Sequence, residues 1–330
     1  MPHRILIHTA TPAAIYHLPA LALLLRKAEF DIGIAPQDDL LTPQAIRALT
    51  GKPPVTDESA YDAALAPYGD YAGALPRIPT SLAQDFDYAA AGCFRLPSPE
   101  HCLEAAVSFF TPQDYAGKTL LLTAGPTIED ADPARYVSNR STGRMGSAIA
   151  RMAARRGARV ILVYGPMQAA VPAHQNIIEV PVRSATQMLE AVDAHLASAD
   201  IAILCAAVAD FSPLAYSEEK IKKGKSEFFT LRMKRNPDIL AHIGALPRRP
   251  FLVGFAAESN DVSANAQEKM NRKNCDMLCA NDITAPGCGF ATATNSLTVF
   301  RRNAPDITIP LASKENVATQ LLDIIHAGLT

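Results

Sequence analysis

Short apolar runs alternate along this chain with longer stretches in which apolar residues recur at helical spacing. The runs are continuous, as in "KTLLLTAG" (118–125), "ARVILVYGP" (158–166), "IAILCAAVAD" (201–210), "FLVGFAAES" (251–259) and "CDMLCAND" (275–282). Strands that are apolar on both faces are typical of a parallel sheet with helices on each side. The pattern therefore predicts an α/β fold.

Two shorter runs at the start, "RILIHTA" and "FDIGIAP", predict a separate α/β unit with a helix over 13–28 between them. Ser98 can cap a helix at "SPEHCLEAAVSFF", and Pro43 and Gly51 mark the ends of another. Further helices are predicted up to about Arg156, over 184–200, from about Asp238 and over 313–329. "NSLTVFRR" and "DITIPL" are predicted edge strands.

The pattern also divides the chain. From about 52 to 92 it dissolves into Pro, Gly, Tyr, Asp and Ala, which predicts mostly irregular structure. We expect a first unit at 1–112, a linker at 113–117 and a second unit at 118–330. The second unit is predicted to be a Rossmann-like parallel sheet with helices on both faces, and the first a shorter α/β segment.

Composition narrows the function. The 330 residues are 48% hydrophobic and 19% charged, with a formal net charge of -2, as in a globular protein without nucleic acid or an anionic membrane as main partner. No run approaches the roughly 20 apolar residues of a membrane helix. The six cysteines form no CxxC pair, so we expect a reduced, cytoplasmic protein.

Ligands of open parallel sheets bind beyond the carboxyl ends of the strands. After the strand at 118–125, Gly125 is followed by a long excursion before Gly143 and Gly146. This spacing disfavours a dinucleotide fingerprint, yet Ser, Thr and Gly at a helix N-terminus suit a phosphate. A simple helix cap at Ser141 or Thr142 is the structural alternative.

Three later segments carry further candidates. Asp210 in "CAAVADF" is placed for a metal-bound phosphate or a base edge, or else it caps a helix beside a buried cysteine. The lysines of "EEKIKKGKS" either form a solvated loop or neutralise a triphosphate. Lys269 and Lys273, spaced i, i+4, share one helical face, which is either plain surface or a phosphate contact.

The order of these segments resembles one family. Residues 118 to about 325 resemble phosphopantothenoylcysteine synthetase, the synthetase half of the bacterial bifunctional coenzyme A protein. The matching segments are "TAGPT", "DPARYVSNRSTGRMG", "CAAVADF", "EKIKKG", "KRNPDIL", "GFAAES", "KMNRKNCDMLCAND" and "GFATATN". The resemblance implies CTP-dependent joining of 4'-phosphopantothenate to L-cysteine through an acyl-cytidylate, with Mg²⁺, in a homodimer.

The resemblance also assigns roles. It implies that Lys220 acts in forming the acyl-cytidylate and that Asn139 holds the activated acyl group. The implied nucleotide-binding residues are Cys205, Ala206, Ala207, Asp210 (also the metal ligand), Lys234, Arg235, Asn236, Pro237, Phe255, Lys269 and Lys273. Ser141, Thr142 and Gly143 are expected to hold the substrate phosphate.

The first 112 residues resemble the flavodoxin-like decarboxylase domain of the same family, with its middle missing. The turn after the first strand reads "HTATPAA" without glycine, and no asparagine precedes Asn139, although that decarboxylase needs one. Cys93 matches the family's cysteine only approximately. We therefore expect no FMN and no decarboxylase activity, with a separate decarboxylase as a possible partner.

Two other functions stay open. A nicotinamide-dependent oxidoreductase could use the same topology, although the gap after Gly125 and the lack of a Tyr-x-x-x-Lys motif count against it. A non-catalytic nucleotide-binding scaffold or regulator is the other, and the presence of Asn139, Asp210 and Lys220 counts against that one.

Overall fold

The computed structural model describes residues 2–9, 12–36, 41–66, 74–78, 98–222, 227–258, 262–282 and 285–329. The chain divides into two compact units, one of residues 1–113 with 173–176, the other of residues 114–172 and 177–330. Both are α/β. Among the described residues no helix has the length and apolar character needed to cross a membrane.

The first unit is built on a parallel sheet. Its elements are β1 (Arg4–Thr9), α1 (Pro12–Lys27), β2 (Asp31–Pro36), α2 (Pro43–Thr50), a 3-10 turn (Glu58–Ala60), β3 (Ala63–Leu65), β4 (Arg77–Ile78) and α3 (Pro99–Phe109). The strands lie in the order β2-β1-β3-β4, all parallel, which matches the start of the flavodoxin order. Strands β3 and β4 lie within 52–92, where mostly irregular structure was expected; at three and two residues they are too short to show a periodic pattern.

The second unit holds the larger sheet. Its elements are β5 (Thr119–Ala124), β6 (Ile128–Asp132), β7 (Arg135–Ser138), α4 (Arg144–Arg155), β8 (Arg159–Tyr164), β9 (Ile177–Pro181), α5 (Ala185–Leu196), β10 (Ile201–Leu204), β11 (Phe211–Pro213), β12 (Met233–Arg235), α6 (Ile239–Gly244), β13 (Phe251–Glu258), α7 (Val262–Lys273), β14 (Met277–Asp282), β15 (Thr294–Arg301), β16 (Ala304–Ser313) and α8 (Lys314–Leu329).

The large sheet confirms the predicted class. Its order is β16-β15-β14-β13-β10-β5-β8-β9, and the six strands from β14 to β9 are parallel while β15 and β16 run antiparallel at one edge. The parallel part has the Rossmann order, which reverses between β5 and β10. The side chains of each buried strand alternate between two cores, so both faces need a helical cover.

The two cores assign the helices to opposite faces. Leu120 and Leu122 of β5 pack with residues of α4 and α8. Leu121, between them, belongs to the other core, with residues of α5, α6 and α7. Helices α4 and α7 therefore lie on opposite faces of the sheet.

Helix α4 lies unusually close to the sheet at Gly146. A Cβ built there would be 2.5 Å from the Cβ of Ala124 and 3.2 Å from its Cα. In a Rossmann fingerprint one glycine has this helix–strand packing role and another permits the tight turn. Gly125, with φ +73° after β5, makes the turn, but a hairpin of β6 and β7 separates the two glycines.

We expect Gly146→Ala to destabilise the chain by about 1–3 kcal/mol, although alanine favours helices, because the methyl group overlaps strand β5. Urea unfolding measures the change. Gly289→Ala is the matched control, since its nearest neighbour would be 3.7 Å away, and it should stay within about 0.5 kcal/mol of the parent. Equal stabilities for the two variants would contradict the close approach.

Candidate active site

A cavity of about 720 Å³ lies at the carboxyl ends of the central strands. Thr123 is on β5, Cys205 lies just after β10, Phe255 is on β13 and Asn281 is on β14, and all four residues line the cavity. This is the point where the strand order reverses, the usual ligand site of such sheets. The volume falls within the roughly 300–1,000 Å³ of small-molecule sites.

The cavity is basic although the chain is not. Six basic residues and two acidic residues, Asp210 and Asp238, are in its lining, whereas the whole chain carries a formal charge of -2. The basic residues are Arg144, Arg235, Lys269, Arg272, Lys273 and Lys314. Because α4 and α8 cover one face of the sheet and α7 the other, positive charge reaches the cavity from both sides.

The N-terminus of α4 forms one wall. Gly143 is its N-cap, in the left-handed conformation at φ +77°, and no side chain caps the helix. A Cβ there would be 2.3 Å from the Met167 sulfur. The Thr142 hydroxyl donates to the Phe290 carbonyl at 2.8 Å instead. The alternative of a side-chain cap at Ser141 or Thr142 was therefore wrong, and the backbone N–H groups of the first turn stay available for an anion.

The segment after β10 forms the floor. The Ala207 N–H donates to the Gly125 carbonyl at 2.9 Å, and the Asn139 side-chain amide donates to the Ala207 carbonyl at 2.9 Å. Asp210 leads into strand β11, so the helix-cap alternative for this residue was wrong. Burial raises the pKa of the Cys205 thiol to about 12, which keeps it protonated and unreactive at neutral pH.

Helices α6 and α7 form the opposite wall. Lys269 and Lys273 of α7 line the cavity together, as their spacing predicted. The Lys273 ammonium is paired with the Asp238 carboxylate, which also caps α6 by accepting the Ala241 N–H at 3.0 Å. Burial lowers the pKa of Lys273, and Asp210 acts in the opposite direction. The helical face is thus part of a concave site and not plain surface.

Most residues singled out in the sequence lie around this one cavity. They are Asn139, Ser141, Thr142, Gly143, Cys205, Ala206, Ala207, Asp210, Arg235, Asn236, Pro237, Phe255, Lys269 and Lys273. Lys220 and Lys234 do not line it and are exposed. Lys234 lies on β12 next to Arg235, and alternation along a strand sends successive side chains to opposite sides. Cys93 and residues 223–226 lie outside the described residues.

Several lining residues escaped sequence reasoning. Lys314, at the start of α8, is almost fully buried and donates to the Thr292 carbonyl at 2.6 Å. Burial, with repulsion from Arg144, lowers the pKa of Lys314. The side-chain oxygens of Asn281 and Asn295 are buried without a hydrogen-bond partner in the described part of the chain. The sequence signalled only Asn281, as a polar residue at the end of "CDMLCAND". Lys314 and Asn295 do not follow a predicted buried strand of the parallel sheet, so no local pattern connected them with the cavity.

No cluster of three or more His, Cys, Asp or Glu side chains suited to a metal ion occurs among the described residues. Asp210 is nevertheless a carboxylate on the cavity wall. One or two carboxylates are what Mg²⁺ takes from a protein when substrate phosphates and water supply its other ligands. Asp210 therefore fits a magnesium ion that arrives with a nucleotide.

Residues 115–329, nearly the whole second unit, match the family described as DNA/pantothenate metabolism flavoprotein C-terminal domain. The chain belongs to this family. The Coenzyme A biosynthesis bifunctional protein CoaBC of Vibrio cholerae is 44% identical over 234 residues, which is 70% of this chain and 58% of that protein. The chain thus spans little more than half the length of this curated relative.

Two solved structures share the fold of the second unit. The C-terminal domain of a Coenzyme A biosynthesis bifunctional protein CoaBC superposes with a TM-score of 0.56 at 37% identity, covering 66% of this chain and 98% of that domain. A Cab2 variant in complex with phosphopantothenate-cysteine gives a TM-score of 0.51 at 15% identity, covering 68% of this chain and 92% of that one. The second likeness shows the fold alone.

Proposed function

We propose that this chain is a CTP-dependent phosphopantothenate–cysteine ligase of coenzyme A biosynthesis. The observation that carries the proposal is the cavity at the strand-order reversal, with basic side chains from both faces of the sheet. Such a site suits two anionic substrates bound side by side. The names of the relatives support it, since CoaBC is a coenzyme A biosynthesis protein and Cab2 binds phosphopantothenate-cysteine.

The chemistry explains why so much positive charge is needed. A carboxylate is a poor acyl donor, because attack by an amine would have to expel oxide. In the proposed reaction the carboxylate oxygen attacks the α-phosphorus of CTP and pyrophosphate leaves. The cysteine amine then attacks the acyl carbon, CMP leaves with the bonding electrons, and the amine loses a proton. The first step brings two anions together, so fixed cations offset the repulsion and stabilise the transition state.

The nucleotide is assigned to the α6 and α7 side of the cavity. Lys269 and Lys273 meet the phosphates, and Asn236, Pro237 and Phe255 form the cytidine pocket. Residues Cys205 to Ala207 have small side chains, which permit close approach of the nucleotide, and Arg235 adds positive charge at the cavity wall. Mg²⁺ held by Asp210 would neutralise phosphate charge. Lys220 acts at the α-phosphate during activation of the carboxylate.

The phosphopantothenate is assigned to the α4 side. Its phosphate faces Ser141, Thr142 and Gly143 at the helix N-terminus, where the positive end of the helix dipole favours an anion. Because the Thr142 hydroxyl is engaged by Phe290, this residue contributes its backbone N–H. Asn139 lies between this wall and the Ala207 main chain, which suits a residue that holds the acyl group for attack by cysteine.

The ligase is tested by pyrophosphate release with 4'-phosphopantothenate and Mg²⁺, comparing CTP with ATP, with and without cysteine. Lys220→Ala should lower the rate by about 10²–10³-fold, because one charge on the transition state is lost. Asn139→Asp should bind CTP but yield no amide product. The control is Lys118→Ala, an exposed lysine outside the cavity.

Wild-type rates in both variants would contradict the residue roles. Absence of pyrophosphate release from the parent chain with either nucleotide would contradict the ligase and favour a non-catalytic nucleotide-binding protein. Release with ATP alone would leave a ligase but overturn the choice of CTP, which depends on how Asn236, Pro237 and Phe255 fit the base.

For the first unit we propose no decarboxylase activity and no bound FMN, so a separate decarboxylase would consume the ligase product. The support is the glycine-free "HTATPAA" turn and the lack of any asparagine before Asn139. The absorbance spectrum of the purified chain tests this: we expect no flavin band. An FMN band in stoichiometric amount would contradict the proposal.

We also propose a homodimer formed through the hairpin face, which we define as the exposed apolar side chains on and next to β7, β11 and β12. Its members are Tyr136, Phe211, Leu214, Tyr216, Phe228, Phe229 and Met233. Phe228 is 84% exposed and Phe229 61%, and strands β6 and β11 pack together beneath this face. A cluster of exposed aromatic residues marks a protein-interaction surface.

Leu214→Glu should convert the dimer to monomer at micromolar concentration, because a charge would be buried in an apolar interface. Analytical ultracentrifugation gives the mass. Leu311→Glu is the matched control: Leu311 is 54% exposed against 45% for Leu214, but it lies on β16, away from the hairpin face. A parent chain that sediments as a monomer would contradict the dimer.

A further inference from the structure

Asp132 is a buried carboxylate at the end of strand β6 that the proposed chemistry does not use. Its side chain has no exposed surface. One oxygen, Oδ1, accepts the N–H groups of Ala134 at 2.7 Å and Arg135 at 2.8 Å, within the turn from β6 to β7. The other, Oδ2, accepts the N–H of Ile221 at 3.1 Å, 89 residues further along the chain. Asp132 therefore links two distant segments.

Arg135 also contacts Ile221, at the carbonyl group of that residue. The Arg135 guanidinium donates to the Ile221 carbonyl at 2.8 Å, and it lies 3.6 Å from the Asp132 carboxylate. Ser217, four residues before Ile221, donates its N–H to the Ala131 carbonyl at 3.0 Å. The segment 217–221 is thus fastened along the end of β6 at three points.

The Ile221 N–H belongs to the peptide bond that joins Ile221 to Lys220. Lys220 is exposed and lies outside regular secondary structure, so few packing contacts hold it. Fixing the backbone of such a residue costs conformational entropy. Hydrogen bonds to a buried charged acceptor are among the stronger ones available to offset such a cost.

We propose that Asp132 is a positioning residue for Lys220: it fastens the lysine's backbone to the hairpin that leads directly into Asn139. The inference rests on the ligase function and deepens it. Asn139 follows Ser138, the last residue of β7, and the side chain of Asn139 is tied to Ala207. The segment that carries Lys220 and the start of the segment that carries Asn139 are therefore both attached to one hairpin.

The charge state of Asp132 is consistent with this role. Burial by itself would raise the pKa of Asp132, but its backbone hydrogen bonds to Ala134, Ile221 and Arg135 lower the pKa below its usual range. The carboxylate stays ionised at neutral pH and keeps both oxygens as acceptors.

Asp132→Asn tests the inference because an amide has a single acceptor oxygen, whereas Asp132 uses both of its oxygens. We expect kcat for CTP-dependent pyrophosphate release to fall by about tenfold or more, with KM for CTP nearly unchanged, because the nucleotide is assigned to other residues. Hydrogen exchange measured by mass spectrometry should become faster in residues 217–222.

Asp130→Asn is the matched control. Asp130 lies on the same strand and also carries a charged contact, a two-bond pair with Arg183 at 2.7 Å and 2.7 Å, but it does not touch the 217–221 segment. Its kcat and its exchange in residues 217–222 should match the parent. Wild-type kcat or unchanged exchange in Asp132→Asn would overturn the inference.

A second variant covers the case in which Asp132→Asn does not fold. The Arg135 side chain is 43% exposed, and without it the Asp132 carboxylate keeps its three backbone hydrogen bonds. Arg135→Leu should therefore fold, and it should speed exchange in 217–222 in the same way. Arg135→Lys should restore part of the protection. If the parent chain releases no pyrophosphate the ligase proposal fails, whereas the exchange comparison still decides whether Asp132 fastens the segment.

Discussion

The reversal of strand order between β5 and β10 is the constraint on which the rest of the second unit depends. Because connections on the two sides of this point run in opposite directions, α4 and α8 cover one face of the sheet and α5, α6 and α7 the other. The helices leave a crevice where the strands end. All of the anion-binding chemistry proposed for this protein follows from that crevice, since it alone brings α4 and α7 together.

The crevice differs from a dinucleotide-binding site in the connection between strand β5 and helix α4. Gly125 makes the turn and Gly146 allows the close helix, as in a Rossmann unit, but the β6–β7 hairpin stands between them. Asn139 directly follows this hairpin and lines the cavity. The hairpin also forms hydrogen bonds to the segment that carries Lys220. The same insertion contributes Tyr136 to the hairpin face, so the proposed dimer and the proposed chemistry share one element.

The positive charge around the cavity results from the fold and not from the overall composition of the chain. A chain with a formal charge of -2 places six basic and two acidic residues around a single cavity. Several of these cations are held by carboxylates or carbonyls, as Lys273 is by Asp238 and Lys314 by Thr292. Fixed cations in a partly buried site act on a bound anion more strongly than mobile surface lysines would.

The sequence by itself determined the class of the fold and its long helices and buried strands, but not the short strands such as the β6–β7 hairpin. Continuous apolar runs identified the buried strands, and Ser98, Pro43 and Gly51 act as helix boundaries as predicted, because these signals are local. It also singled out many of the residues that line the cavity, through motifs that follow the strands. Strand order, the close approach at Gly146, the burial of Lys314 and the contact between Asp132 and Ile221 were decided only by tertiary structure. Each of them joins segments far apart in the chain, and no local pattern records which distant residue a side chain will meet.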